Sequence, residues 1–171
     1  MLSLLSGARF KCVSDVLTPA QRSLCMSRIR SRDSRPERTV RSILHRMRYR
    51  FRLHRRDLPG KPDIVLPKIN TVIFVHGCFW HMHRCRYGRV RPQTRAHFWE
   101  TKRRGNVQRD RRNLTQLREA GWNVLTIWEC HTRDLNDLAR RLERLLPERT
   151  SDTIRTHADL EPPKALAYVR H

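Results

Sequence analysis

Acidic side chains are scarce in this chain. Only 16 Asp+Glu stand against 37 Lys+Arg, which leaves a formal net charge of +21 over 171 residues and a pI near 11.5. Lysine is scarce too: five residues (Lys11, Lys61, Lys68, Lys102, Lys164), so that 32 of the 37 basic residues are arginine. A GC-rich genome accounts for arginine over lysine but not for basic over acidic. A surplus of this size implies a polyanionic partner, nucleic acid first and an anionic membrane surface well behind. Long apolar runs are missing: no segment approaches the roughly 18 uninterrupted apolar residues of a spanning helix. The 38% of hydrophobic residues nevertheless excludes a wholly disordered basic tail and is enough for one domain with a core. The leading MLSLLSGARFKC has no basic start and runs into charge after Leu5, which argues against a secretory signal. Cysteines are few and odd in number (Cys12, Cys25, Cys78, Cys85, Cys130), which fits a reducing, cytoplasmic compartment rather than a disulfide framework.

Turning to what is present, residues 1–16 show no period and read as an extension, 17–146 as one domain, and 147–171 as a loosely packed tail. Thr18 and Pro19 open a predicted helix carrying Leu24, Met26 and Ile29. Pro36 opens a second, with Val40, Ile43, Leu44 and Met47 at i, i+3, i+4, i+7. Tyr49 to Leu53 alternates as a strand. Asp63–Leu66 and Thr71–Val75 read as a hairpin across the four residues 67–70. A loop dense in Cys, His and aromatics follows from Gly77 to about Arg95. A long polar helix then covers about Phe98 to Ala120, with a possible break at Gly105-Asn106 and a stop at Gly121. Trp122 to Trp128, nearly continuous in apolar residues, predicts a central strand, and Asp134 to Leu146 a last helix. The order α-α-β-β-β-loop-α-β-α predicts an α/β fold, a mixed sheet flanked by helices.

Two constellations carry chemistry. Cys78, His83 and Cys85 put three soft or borderline ligands within eight residues, and Cys130, just past a strand, is the natural fourth. That set predicts a tetrahedral structural Zn²⁺. The second is hydrolytic. If 66 pairs with 71, then 63 lies opposite 74 and 61 opposite 76, so Asp63 and His76 share a face; a slip of one residue would destroy this. An Asp at a sheet end beside histidines can hold Mg²⁺ for phosphodiester attack, and His81 can serve as general base. Glu37 and Asp110, on flanking helices, can join through metal-bound water, although Glu37 also suits a helix first turn and Asp110 could pair with its arginine neighbours. Phe79-Trp80 and Phe98-Trp99, beside a basic loop, suggest insertion between bases. Met26 and Ile29 could wedge a minor groove or simply dock their helix.

The stretches PGKPDIVLPKINTVIFVHGCFWHMHRC, HFWETKRRGNVQRDRRN and WNVLTIWEC together resemble the very short patch repair endonucleases of bacteria. The likeness runs from about Leu17 to Leu146. It implies a restriction-endonuclease-like fold with structural Zn²⁺. It also implies a monomeric Mg²⁺-dependent endonuclease, nicking double-stranded DNA 5′ of the T in a T:G mismatch left by deamination of 5-methylcytosine, at the bacterial nucleoid and among other mismatch-repair proteins. By position, the resemblance makes Asp63 and the Val75 carbonyl Mg²⁺ ligands and His81 the general base. It gives His76 and Asp110 contacts to metal-bound water and makes Glu37 a helix carboxylate near the site. Cys78, His83, Cys85 and Cys130 match the Zn²⁺ ligands; Phe79, Trp80 and Trp99 match a mismatch wedge, with Met26 and Ile29 opposing it. Val75 stands where some relatives have Thr, and Met82 in a run often richer in His. Two rivals stay open: a zinc-stabilised DNA-binding module without catalysis, and a same-fold nuclease of homing or restriction type.

Overall fold

Ser34 caps the first helix, α1 (Arg35–Arg46), in the computed structural model, which describes residues 32–147. The predicted helix from Thr18, with Met26 and Ile29, lies outside those residues, as do the extension 1–16 and the tail from 148. The Ser34 hydroxyl accepts from the Glu37 amide while the Glu37 carboxylate accepts from the Ser34 amide, so two helix-end N–H groups are satisfied reciprocally. Val40, Ile43 and Leu44 then fall on one stripe and are buried.

The alternation from Tyr49 to Leu53 predicts a five-residue strand, but only Arg52–Leu53 (β1) pairs with the sheet. Left-handed backbone at Arg48 (φ 61°) and His54 (φ 48°) bends the segment at both ends, and Tyr49 and Phe51 pack onto the core instead. β2 (Ile64–Leu66) and β3 (Thr71–His76) form the predicted hairpin across a 3-10 turn, Pro67–Ile69, closed by Asn70 at φ 44°. Its ladder pairs Ile64 with Ile73, Val65 with Val72 and Leu66 with Thr71. That is the register in which 63 falls opposite 74.

α2 (Ala96–Glu119) runs 24 residues without interruption, so the break considered at Gly105 does not occur. Nothing lies within 4 Å of a Cβ built on Gly105, so that glycine costs only its helix propensity, about 1 kcal/mol. Gly121 (φ 80°) stops the helix as expected. β4 (Asn123–Trp128) corrects a second expectation: it is the edge of the four-stranded sheet, ordered β1-β2-β3-β4, rather than a central strand. It pairs parallel to β3, the other pairs being antiparallel. Its apolar run reflects helices on both faces, not strands on both edges. Asp134 caps α3 (Leu135–Leu145), accepting from the amides of Asn136 and Asp137.

Alternation divides the sheet cleanly. Ile64, Leu66, Ile73 and Ile127 join Val40, Ile43 and Leu44 of α1 and Leu138 and Leu142 of α3 in the larger core. Val65, Val72 and Phe74 face Leu117 of α2 and Trp122 across the other side. The fold is therefore mixed α/β, four strands and three helices among the described residues, none of these helices being long and apolar enough to cross a membrane.

Candidate active site and metal centre

Parallel pairing of β3 with β4 sets His76 beside Trp128, so the residues two steps beyond, Cys78 and Cys130, emerge side by side. The Cys130 amide donates to the Cys78 sulfur at 3.3 Å, and the Cys78 amide to Glu129 Oε2 at 3.3 Å. The loop then folds back: the His83 amide bonds to the Cys78 carbonyl, which brings the imidazole and Cys85 over the same spot. His83 Nδ1 lies 3.7 Å from Cys78 Sγ and 3.4 Å from Cys130 Sγ, and one ligand atom from each of the four residues lies within 4.8 Å of the rest. A tetrahedral ion with ordinary Zn–S and Zn–N lengths needs N···S separations of about 3.5 Å. The donor set and its spacing fit Zn²⁺. Burial pushes the Cys78 thiol up to about 12 and raises that of Cys130, so at neutral pH these sulfurs shed their protons only against a cation. The His83 ring stacks on Trp128, centroids 4.3 Å apart at 15°, which fixes its orientation.

Gly88 closes this loop where no side chain fits. A Cβ there would stand 2.0 Å from the His83 carbonyl oxygen and 2.8 Å from that of Cys78, both backbone atoms. Gly88→Ala should therefore destabilise at or beyond the upper end of the ~1–3 kcal/mol usual for overpacking, read as a fall in the urea midpoint. An unchanged midpoint would mean that the loop can re-form around the methyl.

The face of β3 that meets α2 ends in His76. Its ring stacks on His81 (3.9 Å, 9°) and meets Trp128 edge-on at 5.5 Å. His81 Nδ1 is 2.5 Å from Asp110 Oδ2 on α2. Burial, with the neighbouring His81, drives His76 down to about 4, so it is a neutral imidazole at physiological pH. These groups line a cavity of about 350 Å³, together with Arg84, Arg111, Thr126 and Trp128. Two imidazoles and one carboxylate make a poor Mg²⁺ site, since that ion prefers oxygen ligands, but they suit proton transfer.

Asp63 does not join that trio: the hairpin register is the expected one, but its carboxylate bonds to the Val75 amide and is not grouped with His76, His81 and Asp110. Its Oδ2 accepts from the Val75 amide at 2.7 Å. Burial pushes its carboxyl up to about 6; the charge of Glu37 also raises it, while the Val75 hydrogen bond, His54 and Arg41 oppose the rise. A carboxylate that is both desolvated and under the charge of a second carboxylate is relieved by a divalent cation, so the Asp63 carboxylate fits a hard, oxygen-preferring ion such as Mg²⁺. Glu37 itself is 4% exposed and fully engaged: Oε1 with Ser34, Oε2 with the Asp33 amide (3.0 Å) and Arg41 (2.8 Å). Its carboxylate belongs to a group with Asp33 and His54 rather than to the histidine trio.

Beyond His76 the aromatics converge. Phe79, Trp80 and Trp99 have mutual centroid distances of 5.2–5.9 Å, all edge-on, and all three remain partly accessible. The Lys102 ammonium lies 5.7–5.9 Å from the Trp80, Phe98 and Trp99 rings, so the cluster carries positive charge.

With this geometry in place, comparison with known proteins is decisive. Residues 14–87 match the family model described as DNA mismatch endonuclease Vsr. The type II nicking enzyme V.XorIIP of Xanthomonas oryzae is 48% identical over 134 residues, which cover 78% of this chain and 98% of that protein. The DNA mismatch endonuclease Vsr of Escherichia coli is 42% identical over 142 residues, 83% of this chain and 88% of its own. The chain belongs to the Vsr family. As a Vsr-family protein it is a DNA endonuclease, mismatch- or sequence-specific, and so a DNA-cleaving hydrolase. Type II nicking enzyme V.NmeAIP of Neisseria meningitidis, 39% identical over 80% of this chain and 96% of its own, extends the likeness.

The sequence-derived catalytic and metal-site residues of this Vsr-family chain thus fall into three groups, beside the aromatic cluster of Phe79, Trp80 and Trp99. Cys78, His83, Cys85 and Cys130 come together; so do His76, His81 and Asp110; Asp63 sits with the Val75 amide near Glu37. Several supporting residues escape sequence reasoning. Arg103, 3% exposed, hides in a basic run that reads as a solvated helix face. Trp128 beneath His83 and Glu129 on the Cys78 amide read as strand and turn residues. Arg41, on Asp33 and Glu37, looks like any exposed helix arginine.

Proposed function

We propose that this Vsr-family chain nicks one strand of duplex DNA on the 5′ side of the T in a T:G mismatch, the product of 5-methylcytosine deamination, within a restriction-endonuclease-like architecture. The observation that carries this reading is the adjacency of two devices in consecutive residues: the aromatic pair Phe79-Trp80 and the Asp110-held His81. A wedge beside a base is what an endonuclease needs if it cuts only where the stack opens easily, and a T:G step opens more cheaply than a matched one.

The chemistry follows from the side chains. Asp63 and the Val75 carbonyl would hold Mg²⁺, which when bound polarises the scissile phosphate and stabilises charge on the leaving oxygen. His81 takes the proton of the attacking water. Asp110, on Nδ1, sets the tautomer that leaves Nε2 as the proton acceptor and stabilises the imidazolium that forms. His76, held neutral, packs against His81 without adding a second positive charge. Cys78, His83, Cys85 and Cys130 would hold Zn²⁺, whose role is structural because four protein ligands leave no open position. Surplus arginine supplies salt-sensitive, sequence-blind attraction to phosphates.

A second reading has its own support: relatives named type II nicking enzymes favour cutting set by sequence rather than by the mismatch. Nicking of a T:G duplex and of its T:A and C:G counterparts in the same context separates the two. The mismatch reading expects at least about tenfold faster nicking of T:G, the equivalent of one recognised base pair. Equal rates on all three would replace it with the sequence-specific reading. Binding without any cut in Mg²⁺ would leave a DNA-binding module.

A further inference from the structure

One stripe of α2 grips three consecutive residues of the loop. Arg103, Asn106 and Asp110 stand at i, i+3 and i+7, on one helix face. In that order they bond to the Phe79 carbonyl (Arg103 Nε, 2.7 Å), the Trp80 carbonyl (Asn106 Nδ2, 3.1 Å) and the His81 ring (2.5 Å). Arg103 reaches further. Its Nη1 donates to the Val90 carbonyl at 3.0 Å and its Nη2 to the Gly88 carbonyl, while the guanidinium lies 4.5 Å from the centre of the Phe79 ring. This side chain is almost wholly buried and forms no ion pair among the described residues, the helix's nearby Glu100 being bonded to Arg104.

A buried arginine is a poor device for stability alone, because an apolar residue of similar volume usually does as well without the desolvation cost. What the guanidinium supplies is geometry: a planar fork whose donors tie both ends of a loop, Phe79 and Gly88–Val90, to a single point on α2. We propose that Arg103 is a positioning residue for the nicking reaction, holding the Phe79-Trp80 backbone on α2 so that the aromatic pair meets DNA already in place. The proposal rests on the reading of Phe79 and Trp80 as residues that insert into DNA. Without the brace, the loop would be ordered only on binding, and the ordering would weaken affinity rather than slow the chemistry.

The test compares Arg103→Met and Arg103→Lys with the wild-type chain on a T:G duplex in Mg²⁺. The expected result for Arg103→Met is a KM raised about 10- to 100-fold with kcat within about threefold, because Asp110 holds His81 independently. Amide hydrogen exchange across 79–90 should accelerate while the strands keep wild-type protection. Arg103→Lys, with one ammonium for three diverging carbonyls, should shift both readouts the same way but less. Wild-type KM and exchange in either variant, or a fall in kcat alone, overturns the proposal. Should Arg103→Met fail to accumulate as folded protein, Arg103→Lys decides. Trp80→Ala, measured alongside, keeps the underlying reading separate. A wild-type KM there defeats the insertion reading itself, whereas a raised KM there with unaffected Arg103 variants defeats the role of Arg103 alone.

Discussion

Asp63→Asn should lower nicking by at least about 10³-fold while changing affinity for the same duplex by less than about threefold. The environment of this carboxylate favours a cation: it is desolvated, its hydrogen-bond partner among the described residues is a single amide, and Glu37 adds like charge. The same environment makes a second readout that needs no DNA. The carboxyl is pushed up from 3.8 to about 6. Its protonated form is thus favoured more in the folded than in the unfolded chain. The stability it contributes is fully present below pH 3.8 and is lost as pH rises through about 6. Above that pH the ionised group costs the fold about 3 kcal/mol in the absence of a divalent ion. Asparagine imitates the protonated acid, so Asp63→Asn should melt higher than wild type at pH 8 and alike at pH 3.5. Adding Mg²⁺ at pH 8 should raise the melting temperature of the wild type and leave the variant unmoved. An equal Mg²⁺ shift in both would remove Asp63 from the metal site, whatever the nicking assay reports.

Loss of the proposed Zn²⁺ should have the largest effect on folding. The segment from Gly77 to Arg95 contains no regular secondary structure, and its buried anchors are few: Cys78, Gly88 and the Arg103 side chain that reaches into it. A structural zinc contributes on the order of 10 kcal/mol to holding such a segment, comparable to the whole stability of a domain this size. Elemental analysis of protein purified without chelator should find one zinc per chain. Cys78→Ala, Cys85→Ala and Cys130→Ala should each sharply reduce soluble folded protein. A strong chelator should accelerate hydrogen exchange from 77 to 95 and abolish nicking together. Zinc-free protein that stays folded and active would overturn the metal assignment and leave Cys78 and Cys130 as buried thiols.

The reach of sequence reasoning ends where interactions stop being local. Ser34, Pro36 and Glu37 announce the start of α1 because a cap involves residues three apart. The hairpin register could be derived because a four-residue connection leaves few ways to pair Leu66 with Thr71, and with it came the placement of 63 opposite 74. Cys78, His83 and Cys85 sit within one loop, so their clustering needs no knowledge of the fold. The edge position of β4 was misjudged because an apolar run reports cover on two faces and says nothing of neighbours in the sheet.

By itself, then, the sequence determined the main element types, the hairpin and the short-range clustering of Cys78, His83 and Cys85, together with the family to which those motifs point. Cys130 and Asp110 are candidates in the sequence already, but which atoms they meet, and the role of Arg103, only the tertiary structure across the parallel β3–β4 crossover decided. Cys130 reaches Cys78 only because His76 aligns with Trp128. Asp110 orients His81 only because α2 lies across that face of the sheet. Arg103, one more basic residue in a chain of charge +21, becomes a buried brace only where α2 meets the loop carbonyls. The physical reason is common to all three. A side chain's protonation, burial and partners are set by groups 13 to 52 residues away along the chain, which pack beside it only once the crossover has closed.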